Sequence, residues 1–204
     1  MPRPKTDTRA RLLAAAIDAA AAHGFSQLSL RQLADHLGTS HRMLLFHFGS
    51  RDALLLEIVR AVEQQQRDAV TLSTSEPDES SMSSPAARMS EFWDRVRDPT
   101  MWPYERLFFE IYVQAMRGTE PALRLLDHDA DSWVNAIVTM LTNAGIDPVT
   151  AHADARLMLA VCRGLLLDLV ANEDAEAVDA AMRRFGTFML VAHPELRPGG
   201  PGSR

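Results

Sequence analysis

The chain has 204 residues, 47% of them hydrophobic and 24% charged, with a formal net charge of −6. That is ample apolar material for one medium domain or a small domain joined to a larger one, and it argues against a disordered chain. No run of about 18 apolar residues offers a membrane span, no signal-peptide core opens the chain, and the single cysteine, Cys162, excludes an intrachain disulfide, so the expected setting is a reducing cytoplasm.

The charge is unevenly spread. Residues 1–60 carry eight basic side chains against five acidic ones, a balance of +3, which leaves −9 on the remainder. A basic head on an acidic body suits a protein that presents one end to phosphate. From the N-terminus, Leu13, Ile17, Ala20 and Ala21 recur at helical spacing over 7–23, and Gly24 stops that helix. Ser29 is a good N-cap for a short helix carrying Leu30, Leu33 and Ala34, which Gly38 breaks. Ser40 caps a second short helix to about Phe46, and Gly49-Ser50 leads into a longer one from Arg51 to about Val70, with Asp52 in its first turn.

The stretch Ser73–Pro85, rich in Ser, Glu, Asp and Pro, reads as a mobile loop. Helices are predicted again at 86–97, 103–117, 120–144, 148–171 and 174–192, punctuated by Pro99, Pro103, Gly118, Gly145 and Pro148. Nothing alternates with period two over a strand's length, and there is no internal repeat. The expectation is an all-α protein of about nine helices with a head at 1–52, a body at 53–193 and a disordered tail at 194–204.

Residues 29–48 form the constellation that carries function. Two short helices flank a glycine turn, and the anchors Leu33, Ala34, Leu37, Leu44 and Phe48 would pack them at a steep angle, with Leu13 and Ile17 as the floor. The second helix is then lifted to the surface with His41, Arg42, Met43, Leu45 and Phe46 near its open side. A helix fits the major groove of B-DNA, where Arg makes two parallel hydrogen bonds to guanine.

The run Leu28-Ser29-Leu30-Arg31-Gln32-Leu33-Ala34-Asp35-His36-Leu37-Gly38-Thr39-Ser40, followed by Leu44, His47, Phe48, Ser50, Arg51, Asp52, Ala53 and Leu54, resembles the helix-turn-helix of the TetR family of bacterial regulators. The upstream pattern Ala14–Phe25, ending His-Gly-Phe, is similar to that family's first helix. The resemblance is specific over roughly residues 8–58, and beyond residue 60 it rests on helical layout alone. It implies a three-helix DNA-binding head on a helical ligand-binding and dimerisation body. Ser29 and the second helix's N-terminus would hold a phosphate, with Arg31 and Ser40 beside the interface. His47 and Arg51 would touch the DNA backbone, His41, Arg42 and Met43 would read bases, and Lys5 would reach a neighbouring phosphate or the minor groove. Two departures stand out. Leu45 occupies a position where the family usually has Tyr, and Met43 one where Thr, Ala or Gly is commoner. Loss of the hydroxyl removes one backbone contact of about 1 kcal/mol. Leu45, Met43 and Phe46 can instead touch thymine methyls; the alternative is that Leu45 and Phe46 pack against neighbouring helices.

In the body, residues 157–170 are apolar nearly all round the helix and need cover on more than one side. The resemblance implies that the last two long helices pair with their copies in a dimer. Leu157, Val161, Leu165 and Asp168 on one, and Met182, Phe185, Phe188 and Met189 on the other, are the candidates. A two-fold dimer predicts a palindromic operator. Trp93, Trp102, Tyr104, Phe108, Phe109, Tyr112, Trp133, Ile137 and Met140 concentrate aromatic and flexible side chains that singly read as core. Together they are candidates to line a cavity for a mainly hydrophobic effector, with His128, Asn135 and Arg163 as its polar groups. Asp127 to Asp131 reads as a solvated helix surface rather than a metal site, because only residues three or four apart share a helix face.

No nucleophile–base pair, glycine-rich phosphate loop or His-Glu-x-x-His spacing is present, so neither enzymatic activity nor a cofactor or metal is expected. The reading is a ligand-responsive repressor, released from a palindromic operator by a small hydrophobic effector. Its rivals are a helical carrier or enzyme whose head binds no DNA, and an activator of the same fold.

Overall fold

The computed structural model describes residues 5–24, 29–74, 85–120, 122–125 and 129–197. Among them every regular element is helical. The α-helices are α1 (Lys5–His23), α2 (Leu30–His36), α3 (His41–Phe48), α4 (Arg51–Thr74), α5 (Pro85–Val96), α6 (Trp102–Met116), α7 (Asp129–Asn143), α8 (Pro148–Asn172) and α9 (Ala175–Ala192). Short 3-10 turns stand at Ala122–Leu125 and Pro194–Leu196.

The element ends follow local chemistry. Ser29 closes a capping box on α2: its Oγ accepts the Gln32 N–H, while its own N–H donates to Gln32 Oε1. Gly38 and Gly49 adopt φ of +60° and +81°, a region that strains any residue with a Cβ and so favours glycine at both ends of α3. Asp147 caps α8 by accepting from the Val149 and Thr150 N–H groups, with Pro148 at the first helical position.

Two compact units make up the chain: Met1–Gln65 with Pro103–His128, and Gln66–Trp102 with Asp129–Arg204. In the first, Leu33, Leu44, Leu54, Ile58, Leu107 and Ile111 are fully or almost fully buried. Each such side chain contributes about 1.5–3 kcal/mol of hydrophobic stabilisation. α2 packs against α3 and α1, but the floor differs from expectation. Ala16 and Ala20 of α1 are buried while Leu13 and Ile17 are only half-buried; the small side chains are the ones turned into the core. In the second unit α8 packs along both α7 and α9, around Leu141, Leu169 and Val178.

Three sequence expectations need correcting. The helix expected over 120–144 is instead a 3-10 turn at Ala122–Leu125 followed by α7 from Asp129; Asp129 and Asp131 fall in α7's first turn, where acidic residues suit a helix start. The tail expected to be disordered from residue 194 begins with the turn Pro194–Leu196, which packs on α9 and buries Leu196. Tyr104, grouped with the cavity aromatics, instead donates to Asp18 Oδ1 of α1 at 2.7 Å. The loop expected at 73–85 falls mostly on residues 75–84, outside the described ones, as do Asp127 and His128. Among the described residues no helix is long and apolar enough to cross a membrane.

Candidate nucleic-acid interface and body cavity

α3 is eight residues long and has two unlike faces. Leu44 and Phe48 turn inward and are buried. On the other side His41 and Arg42 are exposed, and Met43, Leu45 and Phe46 are 40%, 36% and 66% exposed. Leu45 is thus largely covered within the chain, whereas most of the Phe46 ring stays open. An aromatic ring left this open on a short helix costs hydration free energy unless something covers it.

The groups around α3 vary in availability. Ser40 caps it, its Oγ accepting the Met43 N–H at 3.2 Å. At α2, the Gln32 N–H is already taken by Ser29 at 3.3 Å, which leaves fewer donors for a phosphate than the sequence suggested. Arg31 is exposed on α2. Arg51 opens α4 and stands 3.9 Å from Asp52. His47 is half-buried, packed edge-on to Phe46 at 5.2 Å, and its Nε2 is shielded with no hydrogen-bond partner among the described residues; that atom meets a phosphate only if the ring turns. The side chain of Lys5 lies outside the described ones.

From sequence, Lys5 and the arginines beside it are expected to reach a phosphate or the minor groove, and nothing gives Arg9 a part in the fold. Its Nη2 pairs with Glu57 of α4 at 3.0 Å, its Nε donates to the His47 carbonyl oxygen at 3.4 Å, and its guanidinium carbon lies 5.1 Å from the Phe48 ring centre. One side chain of α1 thus touches the end of α3 and the start of α4. No local pattern could have signalled this, because the partners lie far apart in sequence.

In the second unit a cavity of about 540 Å³ opens between α5, α7, α8 and α9. Trp93, Met140, Met158, Met182 and Met189 supply much of its apolar wall. Its polar edge is a linked set. Asp179 accepts from the Trp93 indole N–H at 2.9 Å through Oδ1 and from Arg97 at 3.1 Å through Oδ2, while Arg97 also donates to Asp94 at 2.9 Å. The hydrogen bond to Asp94, then the charge of Asp179, raise the Arg97 guanidinium above its ordinary pKa.

Of the expected ligand residues, only Trp93 and Met140 line this cavity. Trp133 and Ile137 are buried in the same unit, with the Arg163 guanidinium 4.6 Å above the Trp133 ring. Asn135 is exposed, and the half-buried Trp102 donates its indole N–H to the Arg97 carbonyl oxygen. Phe108, Phe109 and Tyr112 form their own cluster on α6 in the first unit, with ring centres 5.4 and 6.0 Å apart. His128 is outside the described residues. Sequence reasoning missed Met89, Met158, Arg97, Asp179 and Arg183; the unusual run of methionines was the available signal.

The expected dimer residues divide. Leu157 and Phe188 are 50% and 54% exposed, and Asp168 is exposed. Val161, Leu165 and Phe185 are half-buried. Met182 and Met189 are buried and line the cavity with Phe185, so they do not belong to an open face. α9 carries two apolar faces, one inward at 182, 185 and 189, the other outward at 188 and 191.

Residues 12–58 match the model of the bacterial regulatory proteins of the tetR family. No curated protein matches the sequence. Among solved structures, GusR of Salmonella enterica has 23% identity and a TM-score of 0.71, with 92% of this chain and 97% of that one covered. A TetR transcriptional regulator from Legionella pneumophila has 16% identity and a TM-score of 0.70, covering 93% and 99%. A transcriptional regulator from Saccharomonospora viridis, in complex with choline, has 20% identity and a TM-score of 0.70, covering 91% and 96%. At such identities the likeness to solved structures establishes the fold alone.

Proposed function

We propose that the chain, whose residues 12–58 match the tetR family model, is a TetR-family ligand-responsive transcriptional repressor acting as a homodimer on a palindromic operator. Residues 1–52 are the DNA-binding head, and 53–193 the ligand-binding and dimerisation body. The observation that carries this is the outward face of α3, where Arg42 and Phe46 are exposed and Met43 and Leu45 partly so, on a helix anchored by Leu44 and Phe48. Arg42 reads guanine. Met43, Leu45 and Phe46 meet thymine methyls, and Arg31 and Arg51 hold phosphates. Leu45 lacks the hydroxyl common in this family, so sequence reading leans further on apolar contact.

The exposed apolar residues Leu157, Leu167, Phe188 and Val191 on α8 and α9 support pairing with a second copy. The effector binds in the body. A relative of the same fold was solved with choline, and the cavity here has the size and apolar wall of a small-molecule site. Ligand tilts α4, which begins at Arg51, and changes the spacing of the two heads. Because effector and DNA favour different spacings, each weakens binding of the other by the same factor. The protein acts in the cytoplasm, where its operator lies.

Fluorescence anisotropy on the DNA flanking its own coding region is the test. The expected result is saturable binding that weakens steeply with salt and that a bound effector reverses. Arg42→Ala should cost about 1–3 kcal/mol at the operator and little on unrelated DNA. Equal affinity for operator and random duplex would leave the helical carrier or enzyme as the better reading, and effector-dependent stimulation of transcription in a purified system would make the protein an activator.

A further inference from the structure

The cavity of the second unit has a chemistry of its own, legible from what its polar groups are already doing. Both carboxylate oxygens of Asp179 accept hydrogen bonds, one from Trp93 and one from Arg97, and Asp94 is held by Arg97 as well. Asp179 is thus spent within the protein and the Arg97 charge is met by the two carboxylates, while Asp94, 59% exposed, engages Arg97 through one oxygen. Arg183, on the cavity's edge one turn along α9 from Asp179, is different: among the described residues its guanidinium has no ion pair or hydrogen bond. Its neighbour Arg184 is engaged, lying 4.6 Å from the Phe188 ring on the outer face. The free polar capacity of the cavity is therefore a cationic donor. An organic cation entering it would meet Arg97 and Arg183, and the one carboxylate with an unengaged oxygen, Asp94, is exposed and already paired with Arg97.

The wall argues for the other half of the ligand. Methionine side chains are unbranched and polarizable, and they reshape around differing apolar bodies. Met89, Met140, Met158, Met182 and Met189 all line the cavity, beside Trp93. A volume of about 540 Å³ sits within the ordinary range for an organic ligand of moderate size.

We propose that this cavity takes an amphipathic organic anion, a hydrophobic carboxylate or sulfonate, whose acidic head pairs with Arg183 and whose apolar part lies among Trp93, Met158, Met182 and Met189. The proposal rests on the reading of the body as ligand-binding and gives the chemical class of that ligand. A fold-safe block is available at Gly186, which lines the cavity and where an added Cβ meets nothing within 4 Å. A leucine there adds bulk beside the cavity from an uncrowded Cβ and removes a glycine from a helix.

Two dyes of similar shape make the test: anilinonaphthalene sulfonate, an anion, and N-phenylnaphthylamine, its uncharged counterpart, titrated by fluorescence into the full-length protein. The sulfonate should bind the more tightly. Arg183→Ala should weaken it about tenfold, the scale of one charge-assisted hydrogen bond at a part-exposed site, and change the neutral dye less than about twofold. Gly186→Leu, with its helical circular dichroism intact, should abolish both. Equal affinity for the two dyes, an Arg183→Ala variant that binds the sulfonate normally, or unchanged binding of both dyes to Gly186→Leu overturns the proposal. Operator binding is read separately: sulfonate bound through Arg183 with no change in operator affinity refutes ligand control and leaves the site standing. Operator release by another ligand, with the sulfonate indifferent to Arg183, refutes the site alone.

Discussion

At the scale of single residues, the chain's polar chemistry separates groups committed to the fold from groups held open. Arg9 is committed. Its ion pair with Glu57 is part-exposed on both sides, so the pairing alone contributes little after solvent screening; the contact with Phe48 and the bond to the His47 carbonyl make the arrangement worth more. Arg9→Ala should lower the unfolding free energy by about 1 kcal/mol in urea denaturation, and Arg9→Lys should recover only part, since an ammonium lacks the planar fork that serves three partners. An Arg9→Ala protein as stable as the parent but weaker on DNA would instead make Arg9 a phosphate contact. Cys162 is also committed. Burial pushes its thiol up to about 12, so a disulfide reagent at pH 8 should leave it untouched in the native protein and modify it fully in denaturant. The sequence already placed Cys162 in an apolar helical run, and it identified Ser29 and Ser40 as caps, because caps and helix periodicity are local. Arg9 and Arg97 escaped notice because their partners lie dozens of residues away, beyond any pattern a sequence displays.

At the scale of elements, α8 shows how a helix start is fixed. Asp147 accepts from Thr150 and Val149, and the bonds to Thr150 above all hold its carboxyl below the usual carboxylate range. A depressed folded pKa means that the cap's contribution is complete above the ordinary Asp range near pH 4 and fades as pH falls through the lower folded value. Asp147→Asn keeps an acceptor oxygen and should lose that pH dependence while retaining most of the cap, whereas Asp147→Ala should lose stability throughout the neutral range. Parallel pH–stability curves for parent and Asp147→Asn between pH 3 and 6 would contradict this. α9 taught the opposite lesson about legibility. From sequence, Met182, Phe185, Phe188 and Met189 all read as dimer candidates. Periodicity reports that residues avoid water; it does not say how many partners cover them. Met182 and Met189 turned inward to the cavity, while Phe188 and Val191 stayed outside. The same limit explains the aromatic residues of α6, where Phe108 packs with Phe109 and Tyr112.

At the scale of the whole molecule, the uneven charge becomes an argument about assembly. For the DNA-binding dimer proposed above, a head with a +3 balance and a body of −9 would leave one copy a weak electrostatic hold on DNA, since phosphate attraction at the head is opposed by the acidic remainder. Two heads on one duplex solve this: once the first is bound, the second meets its half-site at a high effective concentration. The open face of α8 and α9 is where that assembly is to be tested. A charge at Leu157 or Phe188, both about half exposed, disturbs no buried packing within the chain but sets like charges against each other across a two-fold axis. Leu157→Arg combined with Phe188→Arg should keep the helical circular dichroism and sediment as a monomer. It should bind a single half-site as the parent's head does, and a full palindrome at least about a hundredfold more weakly than the parent. A variant that still sediments as a dimer would move the interface to another surface; one that becomes monomeric yet holds the palindrome as tightly as before would remove the need for a dimer altogether. The salt dependence decides between cooperation and simple charge. If both heads engage, the slope of log affinity against log salt on the palindrome should be about twice that of the monomeric variant on a half-site, because each head releases its own set of counterions.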